Sequence, residues 1–207
     1  MASLGAAGSS PHRACSDTSR QRPGQVPELL TVGHGTADRE TLTGLLRGAG
    51  VEAVVDVRSA PGSRHNPDVV RACLQRWLPA AGIAYRWEQD LGGFRRPRPE
   101  SPDLAWRNAS FRGYAGYTRD PRFLVAMDRL LAESGQVRTT VMCGESLWWR
   151  CHRRIIADVA VIAHGWTVHH LMHDGRLVDH LPTEGVRLRP DGLLVYDAQA
   201  NSVRPSR

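Results

Sequence analysis

A chain of 207 residues with a formal charge of +6 has room for one domain of roughly 150 to 170 residues and one main core. No stretch approaches the roughly 18 apolar residues of a membrane span, which argues against a membrane protein. All 27 basic residues are arginine, a signature either of codon bias or of a phosphate-bearing partner met by the planar guanidinium fork. In chain order, residues 1–27 carry small and polar residues with scattered Arg and no apolar h-region. They predict a disordered arm rather than a signal peptide, and with it a cytoplasmic protein. Residues 29–33 (LLTVG) predict a strand ending in Gly33-His34-Gly35, and 38–49 a helix with leucines on one face. A buried-type strand over 51–57 follows, then a loop, a helix opened by Pro67 and running to about Ala81, and a strand over 83–87.

Residues 90–117 break this alternation with Gly, Pro and Arg in quantity, and recurrent aromatics mark them as an ordered lid or binding loop. An amphipathic helix over 120–134 leads to a strand over 138–142, and the apolar spacing from Cys151 to His164 predicts a helix beginning at Cys151. Asp174-Gly175 is a turn dipeptide between two strands, 166–172 and 177–180, and 193–196 reads as an added edge strand. Strands alternating with helices predict an α/β fold in three layers, a mainly parallel sheet with helices on both faces, as one domain over 28–197. Residues 198–207 read as a flexible tail.

The densest chemistry lies in residues 142–154, MCGESLWWRCHRR, spanning a predicted strand end, loop and helix start. Cys143 and Cys151 are the only close pair among the cysteines, the other two being Cys15 and Cys73, so the pattern is not a secreted disulfide framework. Their separation fits neither the C-x-x-C redox motif nor a paired zinc ribbon. A helix start and neighbouring arginines would lower a thiol pKa, making either sulfur a candidate nucleophile with Glu145 and His152 as proton carriers. A metal site joining Cys143 and Cys151 with His34 or His152 is the alternative. Polar clusters also end the other two strands. His34 projects from a glycine turn, Asp56 and Arg58 leave their strand on one side as a structural pair or an anion clamp, and 63–66, with Arg64, precede a helix opening. In a parallel sheet these carboxyl ends converge on one pocket. Tyr114 and Tyr117 offer stacking surfaces, and no P-loop or dinucleotide fingerprint occurs.

The spaced set TVGHG, VVDVRSAPGSRHNP, LGG, FRGYAGY and MCGE followed by CHR resembles the DUF488 family over roughly residues 30–180. The resemblance implies a cysteine-centred site of the pattern Cys, x, Glu, then Cys-His-Arg, here Cys143, Glu145, Cys151, His152 and Arg153. Gly144 stands where members often carry Ala. The resulting expectation is a cytoplasmic cysteine-dependent enzyme acting on an anionic substrate, nucleotide-like or derived from nucleic acid. Its substrate-binding residues are His34, Asp56, Arg58, Arg64, Tyr114, Tyr117 and Arg153, and its cofactor is open. A metal-binding enzyme and an Arg-rich nucleic-acid binding module, whose aromatic loop stacks bases, are the competing expectations.

Overall fold

The computed structural model describes residues 26–63 and 65–197. Five strands are parallel: β1 (Glu28–Gly33), β2 (Ala53–Asp56), β3 (Ala84–Trp87), β4 (Thr139–Cys143) and β5 (Thr167–Leu171). A sixth, β6 (Leu177–Asp179), returns antiparallel to β5 through the expected Asp174-Gly175 turn, giving the order β3-β2-β4-β1-β5-β6. The inner strands β2 and β4 are buried along their whole length, as a sheet covered on both faces requires.

Side chains alternate between two apolar layers. Leu30, Val32, Val54 and Met142 pack against leucines and Trp77 of α1 (Arg39–Gly48) and α2 (Arg71–Ala80). Leu29, Val55, Val141 and Val168 turn to the opposite face, meeting α3 (Ala109–Tyr117), α4 (Pro121–Ser134) and α5 (Arg153–Asp158). Asp38 and Asp120 cap α1 and α4 by accepting backbone N–H bonds from Thr41 and Arg122. No described helix is long and apolar enough to cross a membrane.

Several element boundaries differ from the sequence reading, each for a local reason. Pro67 opens only a 3-10 turn, Pro67–Val69; Val70 is extended and α2 starts after it. The expected loop over 90–117 ends in a true helix, α3, capped by Asn108, whose side chain accepts from the Ser110 and Phe111 amides. Cys151 is extended rather than helical, so α5 starts at Arg153 and continues into a π-helical turn, Val159–Ala163. The last strand, β8 (Leu194–Val195), pairs with β7 (Arg187–Leu188) in a separate ribbon instead of edging the sheet. Asp103 holds that ribbon in place: its carboxylate accepts from Arg119 at 2.6 and 3.0 Å and from the Tyr196 amide at 3.1 Å.

The topology positions one place above all others. β4 is inserted between β1 and β2, and the helix that follows it covers the face opposite α1 and α2. The carboxyl end of β4 is therefore where the winding reverses, the crevice in which open α/β sheets take ligands. Cys143 is its last residue, in register with Gly33 of β1, while Asp56 of β2 pairs with Met142.

Candidate functional site

Beyond Cys143 the chain makes a tight excursion, through Gly144 to a 3-10 turn at Trp148–Arg150, before Cys151 returns it to the sheet end. Two contacts hold this loop against β1. The amides of His34 and Gly35 donate to the Cys143 and Gly144 carbonyls, both at 3.0 Å. Gly33 meets the Glu145 carbonyl so closely that a Cβ there would overlap it, which makes glycine at this position a packing requirement.

The return brings the Cys143 and Cys151 sulfurs and the His152 Nδ1 within 4.8 Å of one another. Each sulfur lies 3.7 Å from Nδ1. On the far side of the ring, Nε2 is 3.1 Å from the Val57 carbonyl, an acceptor only, so Nε2 carries the proton and Nδ1 is left to the sulfurs. The imidazole is further fixed by the edge of Tyr114, 4.9 Å between centroids, and by Gly93, where a Cβ would stand 2.9 Å from Nδ1. Both cysteines are free thiols and nearly buried. Donation from the Cys151 thiol, aided by His152 and Arg153, holds Cys143 well below the ordinary thiol range despite its burial. Burial, and then the bond to Cys143, push Cys151 up.

The group forms the floor of a cavity of about 440 Å³ whose walls come from Arg58 to Ala60, Gly93 and Phe94, the start of α3, and Gly144, Glu145 and Arg150. Of the expected site residues, Cys143, Glu145, Cys151, His152, Arg58 and Tyr114 line it together. Glu145 is exposed at the rim, without a salt bridge among the described residues.

Others have different surroundings. Asp56 is fully buried and takes Arg58 in a bidentate pair, 2.8 and 2.6 Å, with Tyr85 donating to the same carboxylate at 2.8 Å. Arg58 also donates to the Val69 carbonyl and lies 3.2 Å from His34 Nε2. Of the two sequence alternatives for this pair, the structure builds the rigid one: four of the five guanidinium N–H groups are engaged and the charge is met by Asp56. His34 Nδ1 is 2.9 Å from the Gly35 carbonyl, so both ring nitrogens are occupied, and His34 is absent from the sulfur cluster. Burial, and then the Arg58 charge, lower its pKa and keep it neutral.

Arg153 is almost wholly buried and donates to the Val32 and Ser146 carbonyls at 3.0 and 2.8 Å, riveting the cysteine loop to β1 rather than facing the cavity. Tyr117 lies outside the cavity; its hydroxyl donates to the Asp90 carbonyl. Arg64 lies outside the described residues. Its neighbours serve the 3-10 turn: Asn66 accepts from the Asp68 amide and Ser63 from the Asn66 amide. Ser59, in the polar cluster that ends β2, lines the cavity as the strand-end reading expects; sequence reasoning passed over Asn108 and Ser110, for which the Asn108 capping position, just before ASF, was the available signal.

Two thiols and one imidazole nitrogen also make a donor set for a soft metal ion. The ring N–H held by a backbone carbonyl is the outer-shell contact such a ligand usually has, so these three residues fit a zinc-type ion with one position left for water or substrate. No curated protein and no solved structure matches the chain. A family model does match, over residues 38–160, which is more than half of the chain and contains the whole sulfur cluster; the protein belongs to the family described as domain of unknown function DUF488.

Proposed function

We propose that this protein is a cysteine-dependent enzyme in which Cys143 is the nucleophile and the substrate is anionic. The observation that carries the reading is the shared position of His152 Nδ1, 3.7 Å from each sulfur, with Nε2 fixed on the Val57 carbonyl at the floor of an open cavity. In that arrangement Nδ1 takes the Cys143 proton, the Cys151 thiol donates to the resulting thiolate, and His152 returns the proton to a leaving group. Arg150, the one unengaged Arg58 N–H and the N-terminus of α3 give the cavity a positive wall suited to a phosphate or carboxylate. A cytoplasmic setting, where thiols stay reduced, is part of the reading.

The test is labelling with iodoacetamide at neutral pH, followed residue by residue by mass spectrometry. Cys143 is expected to react faster than the half-buried Cys73, and Cys143→Ser to lose that fast site. Equal rates at Cys143 and Cys73 would sink the proposal.

The fit of the same three donors to a soft cation favours a second reading, a metal-dependent enzyme. Elemental analysis of protein purified without added metal separates the two. About one equivalent of zinc, lost in Cys151→Ser, supports the metal reading, and metal-free protein with a fast-reacting Cys143 supports the first.

A further inference from the structure

Beside the sulfur cavity lies a second cleft, of about 570 Å³, on the outer side of α3. Its lining includes Arg95, Arg96, Arg98, Tyr117, Arg119 and Arg122. Two of these cations are already met. Arg119 is bound by Asp103, and Arg122 by Asp120 at 3.2 Å. Arg95, Arg96 and Arg98 have no carboxylate within ion-pair distance among the described residues. Glu100 is the acid in the lining that no arginine has engaged, so the cleft keeps a surplus of positive charge.

The run that carries these arginines is built into the fold. A Cβ at Gly113 would overlap the backbone of Arg95 and come close to that of Arg96, so the glycine in α3 lets the segment lie directly on the helix. Arg95 is anchored with its guanidinium 4.1 Å above the Tyr117 ring and one N–H donated to the Gly93 carbonyl at 2.9 Å. Pro97 and Pro99 restrict the backbone beside Arg96 and Arg98, so presenting their charges forfeits less chain entropy.

Immediately before the run stands Phe94, which is 88% exposed although it is an apolar ring. Its φ is 57°, the left-handed region, and it is the one non-glycine there among the described residues. Backbone in this region persists where the surrounding structure holds it, and such residues cluster at binding and catalytic sites. Phe94 lines the mouth of the sulfur cavity and is adjacent in the chain to Arg95, which lines the basic cleft, so an exposed aromatic face stands between the two.

We propose that the cleft and Phe94 together bind single-stranded nucleic acid, with phosphates on Arg95, Arg96 and Arg98 and an unstacked base on Phe94. Several cations along a loop beside a free aromatic face is the arrangement by which single strands are held without sequence preference. A duplex keeps its bases stacked and has nothing to offer the ring, and an acidic peptide uses the charges but not the ring. The strand so held leads to the mouth of the cavity above Cys143; that last step rests on the thiol reading, whereas the binding itself does not.

The experiment is fluorescence anisotropy of a labelled mixed-sequence oligonucleotide with the full chain, repeated across a salt series. Affinity is expected to fall linearly with salt on logarithmic axes. Arg95→Ala/Arg96→Ala/Arg98→Ala lowers the slope by about 2, at about 0.7 per phosphate contact on a single strand. Because Arg95 also packs on Tyr117, Arg96→Ala/Arg98→Ala, confined to exposed side chains, is measured alongside and lowers it by about 1.4. Phe94→Ala weakens binding by about tenfold with the slope unchanged. An unchanged slope in both arginine variants overturns the proposal. So does equal competition, at equal charge, by duplex, by inorganic tripolyphosphate or by polyglutamate. Wild-type protein that alkylates fast at Cys143 yet fails to bind the strand refutes this inference alone. Binding with a slow Cys143 refutes the thiol reading alone.

Discussion

Cys151→Ala isolates the interaction that most strongly holds Cys143 in its thiolate form. The Cys151 thiol is the largest influence lowering the Cys143 pKa, ahead of His152 and Arg153, and it acts against the cost of burial. A hydrogen bond to a charged group contributes about 1.5 to 3 kcal/mol. Sulfur is a weak donor, so the lower end applies, which is about tenfold in the thiolate-to-thiol ratio, and its loss raises the Cys143 pKa. The sign follows from the thiolate being the reactive form: reactivity is present above the folded pKa and lost as pH falls through it. Below both midpoints the variant has about tenfold less thiolate. A more basic thiolate is also about threefold more nucleophilic, so the alkylation rate falls by only about threefold. The midpoint is consequently the better readout. It comes from the rate of iodoacetamide labelling at Cys143 against pH, resolved by mass spectrometry so that Cys73 does not interfere. Cys151→Ser retains a hydroxyl donor and is expected to keep the wild-type midpoint. If the alanine and serine variants share one midpoint, donation from residue 151 is not what lowers the Cys143 pKa, and the reasoning fails.

His170 of β5 and His180, both buried with ring nitrogens 3.0 Å apart, give an acid limit. Burial, and then His180, hold His170 at about 2, against an ordinary value of 6.5. The folded state therefore binds fewer protons than the unfolded chain below pH 6.5, and stability present above that pH is lost progressively as pH falls toward about 2. Between pH 6.5 and about pH 5 the loss is about 2 kcal/mol, seen as a falling denaturation midpoint; an NMR titration in which His170 protonates near pH 6 contradicts it. Arg153→Met leaves the Val32 and Ser146 carbonyls without their donor and frees the cysteine loop from β1. Urea unfolding is expected to show a loss of about 3 kcal/mol or more, and a loss under about 1 kcal/mol means the rivet is dispensable. Gly93→Ala sets a methyl 2.9 Å from His152 Nδ1. It is expected to slow Cys143 labelling while stability stays within about 1 kcal/mol of wild type; an unchanged labelling rate shows that the ring has room to move.

The parallel sheet was readable because its strands are short apolar runs punctuated by Gly, Asp and Cys, and because helices of ten or more residues separate most of them. α3 was not. Gly113 and Gly116 weaken its intrinsic helicity, and what makes glycine necessary is the backbone of Arg95 lying on it, a contact no local window contains. Helical spacing from Cys151 onward was real but began two residues early, because His152 is directed at the sheet end by contacts to Cys143, across the loop, and to Val57, far away in sequence. The terminal strand kept its strand character and changed partner, since Arg187–Leu188 offered a ribbon held by Asp103.

Arginine shows most clearly why the site was only partly readable. Arg58, Arg95, Arg98 and Arg153 are the same residue in sequence, and any of them reads as an anion contact. Their roles separate only when partners are counted. Arg58 is neutralised by Asp56 and retains one free N–H, Arg153 is buried with one donor on each of two carbonyls and its Nε unpartnered, and Arg98 has no carboxylate within ion-pair distance among the described residues. A buried guanidinium is stable only when carboxylates or carbonyls meet it, so burial selects the arginines that hold the fold. An exposed one that no carboxylate meets keeps its donors for a ligand. The arginine in the Cys-His-Arg motif is of the first kind and holds the cysteine loop to β1, whereas Arg96 and Arg98, exposed on the loop beside α3, are of the second.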